Sequence, residues 1–269
     1  MLWEHLTGPD FAKAVKETGV CLIGMGVLEK HSDHLPVGQD MMAAHEFCRL
    51  AAEKEPAVVF PAWYLGQIYE ARAFPGCITV KPTLLLEFLE AICDEIGRNG
   101  FKKIILINGH GGNRFMLPFI AQCALWSKKP YSIYVPDAKL SPERQKKWNE
   151  VLETVEHGHA CECETSMALH IFPELVKMKD LQKAPATALN RGKDLKGLFA
   201  GIGWYADYPE HYAGDARPAT AEKGKQLLQL RVDQIADLIK AVKADKVVPA
   251  LEAEFHARAA DPCAPRGKK

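Results

Sequence analysis

The chain lacks a Cys-x-x-Cys pair, although it carries eight cysteines, at Cys21, Cys48, Cys77, Cys93, Cys123, Cys161, Cys163 and Cys263. That absence removes zinc ribbons and thioredoxin-like redox motifs. It also lacks an excess of charge of either sign, since Lys+Arg and Asp+Glu are both 34. No basic stripe points to nucleic acid, and no acidic tail points to a solvating arm. No apolar run approaches the roughly 18 residues that a membrane span needs. Neither phosphate-loop spacing, GxxxxGK[ST] or GxGxxG, is present. Internal repeats and low-complexity blocks are missing too. The opening Met1-Leu2-Trp3-Glu4-His5 has no basic segment followed by an apolar one, so no signal peptide is read and a cytoplasmic location is expected.

With 269 residues, 48% of them hydrophobic and 25% charged, the composition is that of one ordinary globular α/β domain, with little room for a second. A single domain over 1–262 is expected, followed by a disordered tail at 263–269. Free thiols are the better reading of the cysteines in such a chain, and Cys21, Cys93 and Cys123 fall on apolar faces as small core fillers.

Strand-like and helical segments alternate. Residues 20–27 are apolar and Gly-rich without a helical stripe and read as a buried strand. A helix follows over 40–53, then a short strand over 57–60 and a loop region rich in aromatics over 62–82. The spacing predicts a helix over 83–98, with Thr83 as N-cap and Asn99-Gly100 as its stop. Residues 103–108 are the clearest central strand. Then come a helix over 113–128, a strand over 131–135, a helix over 141–155 with Ser141-Pro142 at its start, and a helix over 165–172 stopped by Pro173. The stretch 183–218 is mostly irregular, and a long closing helix runs over 219–244. This alternation implies a mostly parallel sheet covered on both faces.

Three segments carry chemistry. Glu29 and His31 stand two apart just after the first strand, and Asp40 follows at the next helix start. Carboxylates and imidazoles are the ligands that borderline divalent metals take at hydrolytic centres. A solvated polar loop is the plain alternative for this run. Asn108-Gly109-His110-Gly111-Gly112-Asn113 is a tight strand-to-helix turn whose backbone must approach something closely. A phosphate cradle and a purely structural glycine turn are its alternatives. The run from Glu156 to Ser166 is dense in His, Cys and Glu. A single zinc on His157, His159, Cys161 and Cys163 is the lesser reading there, since tetrahedral sites usually draw on two separated ligand pairs.

Taken together, these residues resemble the creatininase (creatinine amidohydrolase) family. Glu29-Lys30-His31, His34-Leu35-Pro36 and Asp40 are similar to its first motif. Residues 108–113 match its Asn-Gly-His-x-x-Asn, and His159 to Ser166 its His-(Ala/Gly)-Gly-x-x-Glu-Thr-Ser, with Cys161 in place of Gly. Residues 214–224 match its late Gly-Asp…Lys-Gly run. The resemblance spans roughly residues 15–240. It implies an α/β/α layered single-domain fold and a metal-dependent amidohydrolase that cleaves an amide or cyclic amide in a small molecule. By position, Glu29 and His110 would hold one metal and His31 and Glu164 another, with Asp40 bridging and a hydroxide between them. The pair would be zinc with zinc or manganese, with iron as the remaining option. His159 would be the general acid or base, and Glu162 a second proton-transfer candidate. Creatininase proper has an acidic residue where this chain has Gly112, so the chain is more similar to the wider group of amidohydrolases in the family.

Gly111, Gly112, Trp63, Tyr64 and Trp204 are the expected substrate-binding positions. For the aromatics, as for Tyr205, core or interface packing carries more weight. No nucleic acid or membrane partner is expected. A homo-oligomer is implied by the resemblance, a hexamer or another ring, with loops 61–78 and 199–213 as contacts. A lactone hydrolase on the same centre, a non-catalytic ligand-binding member and a cysteine-based redox role are the competing functions.

Overall fold

The computed structural model describes residues 1–137, 139–195 and 197–263. Four parallel strands form the central sheet: β1 (Val20–Met25), β2 (Val58–Val59), β3 (Lys103–Asn108) and β4 (Ser132–Tyr134), in the order β2-β1-β3-β4. A two-stranded antiparallel ribbon joins β5 (His157–His159) to β6 (Ala213–Gly214). The helices are α1 (Gly8–Thr18), α2 (Gln39–Lys54), α3 (Pro82–Arg98), α4 (Asn113–Cys123), α5 (Pro142–Val151), α6 (Glu162–Ile171), α7 (Gly203–Asp207), α8 (Ala221–Ala244) and α9 (Val247–Ala260).

Strand alternation sorts the core into two layers. Val20 and Leu22 of β1, with Ile105 and Ile107 of β3, face α2, α5, α6 and α8. Cys21, Ile23 and Met25, with Ile104 and Leu106, face α1, α3 and α4. Every residue of β1 is buried, as a central parallel strand requires. The result is the α/β/α sandwich that the alternation implied.

The topology fixes where the site lies. From β1 the chain passes through α2 to β2 on one side of the sheet, then returns through α3 to β3 on β1's other side. The loops leaving the C-terminal ends of β1 and β3 therefore diverge over opposite faces. A crevice opens at such a switch point, and ligands of open α/β sheets bind there. Glu29 and His31 leave β1, and His110 leaves β3, at this crevice.

Gly26 brings the third element in. A Cβ there would lie 2.4 Å from the backbone N and Cα of Met41 and 2.5 Å from the carbonyl carbon of Asp40. Only a residue without a side chain lets the first turn of α2 lie against the end of β1. Gly26→Ala is expected to cost about 1–3 kcal/mol by overpacking, and to loosen Asp40 with it. A denaturation curve matching the parent's would contradict this.

Several boundaries differ from those the sequence predicts. α3 starts at Pro82 with Lys81 as N-cap, so Thr83 lies inside the helix. α4 ends at Cys123 and tightens into a 3-10 turn, Ala124–Trp126. Cys123 is exposed there, unlike the buried Cys21 and Cys93, so it is no core filler. α6 begins at Glu162, three residues before the expected start. α1, α7, α9 and the β5–β6 ribbon come in addition to the expected elements. Beyond residue 263 the expected tail lies outside the described residues. Among the described residues no helix is long and apolar enough to cross a membrane.

Candidate metal centre

Asp40 is the hub. It sits in the first turn of α2 and is buried, with Oδ1 3.0 Å from His31 Nε2 and Oδ2 2.9 Å from His110 Nδ1. One carboxylate thus faces two imidazoles through its two oxygens. Two ligand-type triads share it: Glu29, Asp40 and His110 on one side, and His31, Asp40 and Glu164 on the other, each with its ligand atoms within 4.8 Å of one another. A third such set joins Glu29 and His31 to His159.

The histidines are oriented alike. His31 Nδ1 donates to the Glu29 carbonyl at 3.2 Å, His110 Nε2 to the Gln67 carbonyl at 2.9 Å, and His159 Nε2 to the Lys30 carbonyl at 2.8 Å. Each ring spends one N–H on a backbone oxygen and turns its other nitrogen toward the carboxylates. This is the outer-sphere arrangement that fixes metal-ligating imidazoles. Glu164 is held by the Ala160 amide, which donates to its Oε2 at 2.6 Å.

Glu29 tests whether cations suit this set. Its Oε1 is buried without a hydrogen-bond partner, yet it lies 3.3 Å from His110 Nδ1, 3.4 Å from His159 Nδ1 and 3.7 Å from His31 Nε2. A buried carboxylate oxygen ringed by three nitrogens, and bonded to none, is costly as a hydrogen-bond acceptor and suited to an ion. Three carboxylates and three imidazoles are also the donor chemistry of borderline divalent metals. The residues fit a divalent pair.

Electrostatics agree. Burial opposes charge on every group here, but for most of them the mutual attraction outweighs it. Against burial, Asp40, Glu29 and Glu164 push His31 up to about 10. Glu29 and Asp40 likewise raise His110 well above its ordinary value. Asp40 is held well below the carboxylate range by His31 and His110 despite its burial. For Glu164 burial wins and lifts it to about 8. His159 is lowered by burial and by the neighbouring His31.

Local backbone strain collects around the same residues. Ser32, Ala160 and His211 adopt φ values of 53°, 53° and 50°. Non-glycine residues in the left-handed region persist where the surroundings over-determine them, often at functional sites. The Ser32 amide donates to the His211 carbonyl at 2.8 Å, tying two of these positions together.

Some expected site residues stand elsewhere. Glu162 is fully buried, and its carboxylate is taken up by Lys223 Nζ at 2.5 Å, by the amides of Glu153 and Thr154, and by Thr154 Oγ1. These bonds pull it below its ordinary value against its burial. It is a structural lock at the start of α6, with no oxygen left for proton transfer. Gly112 is crowded, since a Cβ there would meet the Gln67 carbonyl oxygen at 2.3 Å and His110 Nε2 at 2.6 Å. The missing side chain lets the turn close over His110 and Gln67, whereas Gly111 is open. Trp63 is buried and stacked on Phe88 with centroids 5.5 Å apart, a packing residue. Tyr64 faces solvent. Trp204 lies edge-on to His159, centroids 6.0 Å apart, and borders the centre.

The run 156–166 divides in two. A β-bulge between His157 and His159 breaks the strand alternation. His159 and Glu164 join the carboxylate-imidazole centre, while His157, Cys161 and Cys163 form a separate group. The four-ligand zinc that would include His159 is therefore not assembled.

Two histidines at the site carry no role in the sequence reading: His34, which the first motif includes, and His211, which it does not single out. His34 Nε2 donates to Thr165 Oγ1 at 2.8 Å and so braces the His31 loop against α6. His211 is fully buried beside His159 (centroids 5.7 Å) and Phe74 (4.6 Å), and both its ring nitrogens lack hydrogen-bond partners. A lone histidine in an irregular loop offers no pattern by which to find it.

The chain matches known proteins over most of its length. The creatininase family model, described as creatinine amidohydrolase, matches residues 4–239. A 3-dehydro-scyllo-inosose hydrolase of Thermotoga maritima is 26% identical over 263 residues, covering 89% of this chain and 83% of that protein. The creatinine amidohydrolase of Pseudomonas putida is 24% identical over 250 residues, covering 82% and 88%. A mycofactocin precursor peptide peptidase of Mycolicibacterium smegmatis is 28% identical over 241 residues, covering 84% and 86%. Among solved structures, a zinc–zinc form of a creatininase mutant superposes with a TM-score of 0.76 at 22% identity, covering 91% of this chain and 98% of that one. A manganese form of creatininase gives 0.76 at 22%, covering 91% and 99%. At that identity the likeness establishes the shared fold.

Proposed function

The chain belongs to the creatininase family of hydrolases, and on that premise we propose that it hydrolyses an amide or cyclic amide C–N bond in a small molecule at a centre of two divalent metal ions. The observation that carries this reading is Asp40 between two backbone-anchored imidazoles, with Glu29 and Glu164 completing a triad on each side. Glu29 and His110 would hold one ion, His31 and Glu164 the other, and Asp40 both. Solved family structures in zinc–zinc and manganese forms support metals of that class. The relatives' names, an amidohydrolase and a peptide peptidase among them, support the C–N bond.

Bound divalent ions acidify water and polarise a carbonyl oxygen. The remaining work falls to the chain. His159 donates through Nε2 to the Lys30 carbonyl, so Nδ1 is its proton-transfer atom, facing Glu29 across 3.4 Å. Burial keeps this imidazole neutral, ready to take a proton from the attacking water and hand it to the leaving nitrogen. Trp204 against His159 shields the ring from solvent. Creatininase proper carries an acidic residue at the position of Gly112; here no side chain fits, which favours an amide other than creatinine.

Turnover of a panel of small linear and cyclic amides by the zinc- or manganese-loaded protein tests the reading. Release of amine from at least one member is expected. Turnover of lactones alone would move the activity to C–O bonds, and none at full metal loading would overturn it.

Metal binding is expected to expel protons. His31, near 10, and Glu164, near 8, both hold protons at neutral pH, and ligating groups must shed them. Affinity should therefore rise with pH, roughly tenfold per unit for each proton released. Calorimetric titrations in buffers of different ionisation enthalpy measure that release directly. A pH-independent affinity would contradict it.

A further inference from the structure

We propose that His157, Cys161 and Cys163 form a second, sulfur-rich metal site that binds one thiophilic ion of the Zn²⁺, Cd²⁺ or Cu⁺ class, separate from the carboxylate-imidazole centre. The three ligand atoms lie within 4.8 Å of one another. Cys161 is the N-cap of α6 and Cys163 lies in its first turn, with their sulfurs 3.4 Å apart. Two sulfurs about 2.3 Å from a tetrahedral ion stand roughly 3.8 Å apart. A disulfide needs about 2.05 Å. The observed spacing requires only a few tenths of an ångström of opening to take an ion, against more than an ångström of closure to make a bond.

The imidazole is prepared for ligation. Thr154 Oγ1 donates to Glu162 Oε2 at 2.8 Å, so its one hydrogen is used. It must then accept from His157 Nδ1, 3.3 Å away, which leaves Nε2 as the ligating atom; any proton the ring shares with the Cys161 thiol is given up on metal binding. Carboxylate, hydroxyl and imidazole in series form the outer-sphere relay typical of metal-bound histidine. This gives Glu162, locked by Lys223 and far from proton transfer, a positioning role. His157 is exposed while Cys161 is buried, so the cluster opens to solvent at the histidine, with a fourth coordination position on that side. The N-terminal end of α6 favours the thiolates that ligation needs.

The test is a Cd²⁺ titration of the reduced full-length protein, preloaded with Mn²⁺. Sulfur-to-cadmium charge-transfer absorption reports thiolate ligation, and Cd²⁺ entering the oxygen- and nitrogen-only centre gives none of it. One equivalent of band-forming Cd²⁺ is expected. Cys161→Ser and Cys163→Ser should each abolish the band; serine is a favoured N-cap, so the Cys161 variant keeps α6 intact. Thr154→Val should weaken Cd²⁺ binding about 10- to 100-fold, and Asp40→Asn should leave the band in place. No band in the reduced parent would overturn the proposal, as would a band that survives both serine substitutions. So would mass-spectrometric recovery of a Cys161–Cys163 disulfide in protein that takes up no Cd²⁺.

Discussion

Asp40→Asn is expected to strip the centre of both ions and to lower turnover by about a thousandfold or more, since several kcal/mol of transition-state stabilisation are lost at about 1.4 kcal/mol per tenfold. The asparagine has the same shape, but only one of its two terminal atoms is an acceptor and it carries no charge. Asp40 now offers Oδ1 to His31 and Oδ2 to His110 at 3.0 and 2.9 Å. A single substitution therefore breaks both triads, where Glu29→Gln would break the set on its own side. The fold should survive, because Ala43, Phe47, Cys48 and Ala51 keep α2 anchored in the core and asparagine fills the same space in its first turn. Circular dichroism with elemental analysis of the same sample checks this. Retained metal in a folded Asp40→Asn protein would contradict the bridging role.

His159→Asn is expected to separate chemistry from metal binding. The ring is anchored through Nε2 and lacks a partner of its own for Nδ1 beyond the contact with Glu29. Its removal should lower kcat by about 10²- to 10⁴-fold, the usual worth of a positioned acid–base group, with the metal count unchanged. The sign of the pH effect follows from its environment. Burial and His31 depress its proton affinity, so the basic form persists below the ordinary histidine pKa of about 6.5. The parent's kcat should fall on the acid side of that value, and this limb should vanish in the variant. Should metal depart together with activity, His159 is a ligand beside Glu29 and His31, a set whose spacing allows it.

Much of this arrangement is legible in the amino-acid order itself. β1 and β3 are buried on both faces and read as unbroken apolar runs. The motif residues flank them, and α/β topology brings strand ends together at a switch point. α1 also carries local signals: Thr7 as N-cap, Pro9 in the first turn and Gly19 in the left-handed conformation at its end. α9 carries none, since it buries no residue and shows no apolar stripe.

The division between Glu162 and Glu164 lies deeper. Both lie in the first turn of the same helix, and the bulge in β5, the bonds from Glu153 and Thr154, and the Lys223 ammonium, 61 residues away, decide which carboxylate turns to the centre. His211 is likewise placed by tertiary contact alone, packed against Phe74 and His159. Aromatic residues in loops are as ambiguous as their composition: Trp63 packs in the core and Trp204 borders His159.

The most direct measurement is the metal stoichiometry of a Cys161→Ser/Cys163→Ser protein, which leaves only the carboxylate-imidazole centre. Two equivalents of divalent metal per chain, lost together in Asp40→Asn, are expected of a shared-carboxylate pair. A single equivalent that survives Asp40→Asn, or none after metal is added back, would contradict the two-ion hydrolase.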